Sequence, residues 1–320
     1  MQHDWKKGTT VFRIYAAFML LGIFWGSNFI YMKWASALIT SGQISLLRVF
    51  FGFAPLALLA WRKGVFHFGQ IRYIHHFAMM AAFATAFSYF AMAQGTALLP
   101  SGIAGVLGAS PALFTCVASA VFLRHERMNR MMCSGVLLGI VGIALISRPW
   151  SSNGTEGAIS MLGVAWMLMG SLVFGLSYVY VRRYLSAIKL SPLAIVTWQM
   201  ALALLILACF TDLHGIGRIA LDWKAVTGLV FGLGLLGTGA SFLLYYYLLN
   251  KLGAVAAASA VYVTPVVALL IGWLVGERVG PLELIAVVMI FGSIALLEFG
   301  RQANTRQNVQ PVTPSTVALD

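Results

Sequence analysis

Residues 85–111 read TAFSYFAMAQGTALLPSGIAGVLGASP, and residues 238–265 read TGASFLLYYYLLNKLGAVAAASAVYVTP. The two stretches share one plan. Thr85, Ser88 and Tyr89 precede a run of small residues and Pro111, with Glu126 beyond it; Thr238, Ser241 and Phe242 precede another such run and Pro265, with Glu277 beyond it. Leu99 matches Leu252, and Pro111 matches Pro265 after a slip of one residue. Upstream, Trp25-Gly26-Ser27-Asn28 matches Phe174-Gly175-Leu176-Ser177, and Tyr31 matches Tyr180. Duplication inside apolar sequence marks membrane chains built from two related halves.

Composition points the same way. Of 320 residues, 60% are hydrophobic and only 9% are charged, too few to give a soluble domain a polar surface. Apolar stretches long enough to cross a bilayer core of about 30 Å recur along nearly the whole chain. They predict ten spans, near 14–34, 42–61, 75–97, 102–123, 131–147, 160–181, 192–211, 225–248, 254–274 and 282–299. Five spans fall in each half. Five is odd, so the second half enters the membrane from the opposite side and the repeat is inverted. The expected organisation is a cytoplasmic N-terminus over 1–13, repeats over 14–149 and 157–299, and a disordered polar tail over 300–320. Ala35-Ser36-Ala37 resembles a cleavage site, but the apolar region before it is too long for a signal peptide, so the first span is read as retained.

The net charge of +12 suggests nucleic acid, and its distribution argues against that. Fifteen Lys and Arg fall on one side of the ten-span arrangement and five on the other, with Arg48 inside a span. That bias places both termini in the cytoplasm and sets the basic loops against anionic lipid. Cys116, Cys133 and Cys209 form no metal-ligand spacing and read as packing residues. Asn153-Gly154-Thr155 matches a glycosylation sequon on an outer loop, a tripeptide common by chance.

Several residues within the spans bear on a central site. Pro111 and Pro265 cannot donate backbone hydrogen bonds, which leaves the carbonyls of Leu107 and Val261 to find other partners or face a wet cavity. The prolines are hinges, acceptor sites for an ammonium group, or both. Thr85, Ser88, Met92 and Thr96 lie on one stripe of the third span with Tyr89 beside it; Thr238, Ser241 and Tyr245 repeat this on the eighth. Such a stripe faces protein or water, and either helix packing or a cavity accounts for it. Trp25 and Asn28 share a face of the first span, Ser177 and Tyr178 sit near the corresponding place on the sixth, and Ser110 precedes Pro111. Trp25, Tyr89, Tyr178, Trp198, Tyr245 and Tyr262 can form an aromatic-walled pocket, or simply pack between helices. Arg48 binds a substrate carboxylate, snorkels outward, or satisfies helix-end carbonyls; its counterpart in the second half lies near Trp198. Glu283 and Glu298, near the ends of the last span, read as solvated, and Glu126 and Glu277 as paired with local arginines. With no carboxylate clearly mid-span, facilitated diffusion or exchange is favoured over proton antiport.

Trp25-Gly26-Ser27-Asn28-Phe29, Arg48 followed by Pro55, the stretch from Ala97 to Glu126, and Leu252 to Gly276-Glu277 resemble the drug/metabolite transporter superfamily, EamA type. Within it the chain looks most like the YddG-type amino-acid exporters. The resemblance implies ten helices in two inverted five-helix repeats, a bacterial inner-membrane location, and export of neutral or aromatic amino acids by alternating access. It also implies no cofactor. A monomer is expected. One departure stands out: the family's Gly-Glu at the end of the fourth helix is Arg124-His125-Glu126 here. Another small organic solute or a drug is the alternative cargo. An intramembrane enzyme is the less favoured class: there is no HExxH, no pair of mid-span aspartates, and His75 and His76 lack a nucleophile partner. A channel would want a ring of repeated polar residues, and a phosphate or nucleotide-sugar carrier several Lys or Arg inside the spans.

Overall fold

The computed structural model describes residues 2–65, 67–122, 128–147, 159–186, 188, 190–252, 259–277 and 280–308. Glu126, the sequon at Asn153 and the tail beyond residue 308 lie outside them. The described residues are helical throughout, with no strand. In chain order the apolar helices are α1 (Arg13–Ser36), α2 (Ser41–Arg62), α3 (Gly69–Leu98), α4 (Ser101–Phe122), α5 (Arg130–Ser147), α6 (Met161–Leu185), α7 (Pro192–Phe210), α8 (Trp223–Leu249), α9 (Ala260–Leu274) and α10 (Pro281–Asn304). Nine of these, among the described residues, are long and apolar enough to cross a membrane; α9 is shorter. The chain is a multi-pass integral membrane protein.

Local sequence sets the boundaries. Thr40 caps α2: its hydroxyl accepts from the Gln43 amide at 3.3 Å while the Gln43 side chain accepts from the Thr40 amide at 3.2 Å. Ser191 caps α7 with Pro192 at the first helical position, where its missing N–H leaves no bond unmade. Gly276, at φ 87°, ends α9 in the left-handed conformation that glycine tolerates best, and the Glu277 amide turns back onto the Gly272 carbonyl at 2.9 Å.

Helix α1 packs on α8 and α9, and α6 packs on α3 and α4. Helix α2 packs on α8, and α7 on α3. The remaining principal contacts are α2 with α7, α4 with α9, and α5 with α10. Adding or subtracting five turns each pair into another member of this set or into itself. Glycines permit the tightest crossings. A Cβ on Gly26 of α1 would lie 2.7 Å from the Thr264 carbonyl of α9, and one on Gly175 of α6 would lie 3.0 Å from the Pro111 carbonyl of α4. Backbones thus meet at both prolines.

Periodicity does not reveal the widened turns. Met80–Phe87 in α3 and Gly228–Ala240 in α8 are π-helical. Hydroxyls close the wide turns: Ser88 donates to the Phe83 carbonyl at 2.7 Å, Thr238 to Leu233 at 2.9 Å and Ser241 to Leu236 at 2.8 Å, each five residues back. Single π turns concentrate at functional sites in helices.

Three expectations are corrected. Glu283 and Glu298 are buried, because neighbouring helices enclose both ends of α10. Glu277 pairs with backbone across the bundle, because the turn at Gly276 aims its carboxylate at α4. The last helix continues to Asn308, so the start of the expected tail is ordered. Asn129 anchors it, donating to the Gly300 carbonyl at 2.7 Å and to Asn304 Oδ1 at 3.0 Å.

Candidate functional site

Arg48 is 7% exposed on α2, far from any snorkelling position. Its Nε donates to Thr238 Oγ1 of α8 at 3.0 Å. Its guanidinium carbon sits 3.9 Å above the ring centroid of Tyr89 on α3. A cation on a desolvated aromatic face gains about 2 kcal/mol, against an insertion cost of at least about 2.5 kcal/mol. Among the described residues, no carboxylate pairs with this cation. On the other side of the bundle Gln199 Nε2 donates to Thr85 Oγ1 at 2.8 Å. Thr85 matches Thr238, so Gln199 is the counterpart of Arg48, one residue along from the expected Trp198.

Trp198 points elsewhere, since adjacent residues on a helix diverge by about 100°. Its indole donates to Gln70 Oε1 at 2.8 Å and stacks on Phe77 at 6.1 Å. That places it in packing at the beginning of α3 and separates it from Arg48. The hydroxyls of Thr85, Ser88 and Ser241 are fully enclosed and already bonded within the protein. Ser177 donates to the Val173 carbonyl of its own helix at 2.8 Å.

Two of the aromatic groups meet. Trp25 and Tyr245 lie with ring centroids 6.3 Å apart. Tyr178 on α6 is 49% exposed. Phe174 meets the Tyr178 ring edge-on at 5.2 Å. Met92 packs on the apolar core of α1, α4 and α6 beside Gly170. Tyr262 turns its hydroxyl away, onto Glu298 Oε2 at 2.7 Å.

The prolines behave unequally. A turn at Gly108–Ser110 breaks α4, and Pro111 opens the next helical segment. The Leu107 carbonyl is not left free: the Ser110 amide reaches it at 3.0 Å and Ser171 Oγ at 3.4 Å. In α9 a 3-10 turn over Ser259–Tyr262 precedes Pro265. Beside the prolines, Ser110 Oγ and Thr264 Oγ1 are buried with no protein partner, and so is Asn28 Oδ1, whose amide nitrogen donates to the Gly237 carbonyl at 3.4 Å. Thr264 escaped sequence reasoning; the alignment of Ser110-Pro111 with Thr264-Pro265 was the signal that could have found it.

Polar contacts join the helix ends away from the N-terminus. Glu277 accepts from the Ser101 amide at 2.6 Å and the Gly102 amide at 2.9 Å. Lys33 donates to the Ala97 carbonyl at 3.0 Å. Gln43 donates to the carbonyls of Asp212 and His214 at 2.8 and 2.9 Å. Beside them lies a pocket of about 450 Å³ lined by Ser36, Thr40, Gln43, Gln94, His214 and Arg218.

Comparison with known proteins accords with this architecture. The EamA-like transporter family matches twice, over residues 12–148 and 161–299. An uncharacterized transporter of Bacillus subtilis, YoaV, is 25% identical over 253 residues, covering 79% of this chain and 85% of its own. A second B. subtilis transporter, YdfC, also uncharacterized, is 24% identical over 280 residues, covering 86% and 87%. The uncharacterized inner membrane transporter YedA of Escherichia coli is 28% identical over 204 residues, 63% of each chain. One crystal structure shares the fold at a TM-score of 0.57 and 17% identity, over 88% of this chain and 98% of that one. The chain belongs to the EamA-like transporter family, and it is a membrane transporter.

Proposed function

We propose that this protein exports small zwitterionic metabolites, neutral or aromatic amino acids foremost, across a bacterial inner membrane. Ten spans form two inverted repeats with both termini in the cytoplasm. The reciprocal helix pairs and the matched Arg48–Thr238 and Gln199–Thr85 bonds support that arrangement. The site lies between the repeats, and a monomer contains it whole. The N-terminal end is the open one: Tyr178 is half exposed there, while Glu277, Lys33 and Gln43 tie the other end.

One observation carries the substrate reading. Arg48 is a buried cation with no carboxylate partner among the described residues, stacked on the ring of Tyr89. A substrate carboxylate would supply the missing charge, and Tyr178, Trp25 and Tyr245 would take an apolar side chain and the ammonium. The test is uptake of labelled phenylalanine, tryptophan and leucine into proteoliposomes, with tryptamine as the competitor that lacks the carboxylate. Tryptophan should compete and tryptamine should not. Absence of uptake of all three amino acids overturns the amino-acid assignment.

A further inference from the structure

We propose that the pocket beside Gln43 is a second solute site, which docks a carboxylate-bearing zwitterion on the outer side of the central space. This site rests on the export reading above and adds a station to the route. The pocket holds about 450 Å³, within the range of about 300–1,000 Å³ usual for small-molecule sites. Its walls come from the turn between α1 and α2, from α3, and from the loop between α7 and α8. Gln43 Nε2 fastens that loop to α2 through the Asp212 and His214 carbonyls, at 2.8 and 2.9 Å. Gly215, at φ 77°, then turns the chain into a 3-10 segment over Ile216–Leu221. The Arg218 amide closes back onto the Gly215 carbonyl at 3.0 Å. Bonds on both sides of the turn thus fix the stretch that presents Arg218 to the pocket.

The groups lining the pocket suit a zwitterion. Among the described residues the Arg218 guanidinium has neither a hydrogen bond nor an ion pair. Asp212 and Asp222, the carboxylates of the same loop, are turned onto the His214 and Lys224 amides at 2.8 and 2.9 Å, and neither pairs with it. A cation lining a cleft raises the local concentration of anionic groups, and a guanidinium can hold a carboxylate by two parallel bonds. Gln94 reaches the same pocket from α3, half-buried, and its side-chain amide also lacks a partner among the described residues. Its carbonyl can accept from an ammonium. Leu38, Ile39 and Ala97 supply an apolar wall for a side chain. Gln94 stands five residues beyond Tyr89 on one α-helical stretch, about 7.5 Å along the axis. Tyr89 carries the Arg48 guanidinium, so a solute that leaves Arg48 toward the outer end then meets Gln94 and Arg218.

Contact quenching in the full detergent-solubilised chain tests this. Ala37 is exposed and lines the pocket; Ala37→Cys is labelled with bimane, with Cys116, Cys133 and Cys209 replaced. The indole ring of tryptophan should quench the label saturably. Indoleacetate, which keeps the carboxylate, should do so more weakly, and tryptamine, which lacks it, should not saturate. Arg218→Gln should raise the half-saturating tryptophan concentration at least about tenfold, the effect of one charge-assisted hydrogen bond. Gln94→Leu should weaken the tryptophan response and leave that of indoleacetate unchanged. Arg48→Gln should respond as the parent does. Absence of saturable quenching by both carboxylates, or a parental response in Arg218→Gln, overturns the proposal. A response lost in Arg48→Gln assigns the signal to the central site and overturns it too. Equilibrium dialysis of radiolabelled tryptophan against the unlabelled chain counts sites directly: Arg218→Gln should remove one per chain, and an unchanged count overturns the proposal. Absence of uptake of phenylalanine, tryptophan and leucine, with the Arg218-dependent quenching intact, overturns only the amino-acid transport reading.

Discussion

Arg48 and Gln199 perform the same bond on opposite helices: one donates to Thr238 at 3.0 Å, the other to Thr85 at 2.8 Å. The scaffold needs a donor at both places, and only one of them is charged. Arg48→Gln therefore copies a bond that the protein already makes elsewhere. It also removes a buried cation, whose desolvation is costly. Thermal stability of the detergent-solubilised variant should stay close to the parent's. Uptake of carboxylate-bearing substrate should fall at least about tenfold, the worth of one charge-assisted hydrogen bond of about 1.5–3 kcal/mol. Tryptophan and tryptamine should become equal competitors. Retained discrimination between them would assign Arg48 to the scaffold.

The crossing of α4 and α9 is equally specific. A Cβ on Gly105 would lie 2.1 Å from the Cβ of Ala268, closer than any real contact. Gly105→Ala should force the helices apart at a cost of about 1–3 kcal/mol, the range for overpacked sites. Ala268→Gly in the same chain should restore most of the loss, because it vacates the space the new methyl group needs. Melting curves of the two single variants and the double variant give the coupling directly. Additive losses would mean that the helices do not meet through this pair.

The repeat made most of this scaffold legible before any coordinates. Span positions followed from apolar length, and the matched Thr85 and Thr238 pointed to equivalent places. The site was less legible, for physical reasons. Trp198 and Gln199 are adjacent on α7 and diverge by about 100°, and only the packing of α7 on α3 shows which of them meets Thr85. Glu298 looked solvated because it lies near a span end, and only the packing of α5 and α4 on α10, with the Tyr262 hydroxyl against it, encloses it. The Leu107 carbonyl looked free because neither the turn that brings the Ser110 amide to it nor the approach of Ser171 from the other repeat is visible in local sequence. Contacts across the repeats carry no signal in local sequence.

Gly276 and Glu277 act together at the end of α9. The glycine supplies the left-handed turn, and the carboxylate then accepts from two amides at the start of α4, where the helix dipole favours negative charge. Gly276→Ala should cost about 1 kcal/mol of strain. Glu277→Gln keeps the shape and loses the charge, at about 1–3 kcal/mol. Both should shift the protein toward the conformation open at this end. A cysteine placed at Gln94, in the pocket there, should react faster with a membrane-impermeant maleimide in both variants, with Cys116, Cys133 and Cys209 replaced. Unchanged labelling in Glu277→Gln would reduce the tie to a helix cap.

Two aromatic residues differ in their surroundings. Tyr178 is half exposed, whereas Trp198 is bonded to Gln70 and stacked on Phe77. Tyr178→Ala removes a half-exposed ring that holds no helix in place, so stability should barely change. It should weaken binding of an aromatic substrate by about two- to tenfold, the range of an aromatic contact of about 0.5–1.5 kcal/mol. Trp198→Phe keeps the stack and deletes the indole donor, leaving Gln70 Oε1 unpaired. It should cost about 1–3 kcal/mol of stability and leave the substrate constant unchanged. Isothermal titration with phenylalanine, beside melting curves of the same preparations, reads both quantities. If instead Trp198→Phe altered affinity and Tyr178→Ala did not, the space beside Arg48 would extend toward α7, and the pocket would have to be redrawn around Gln70.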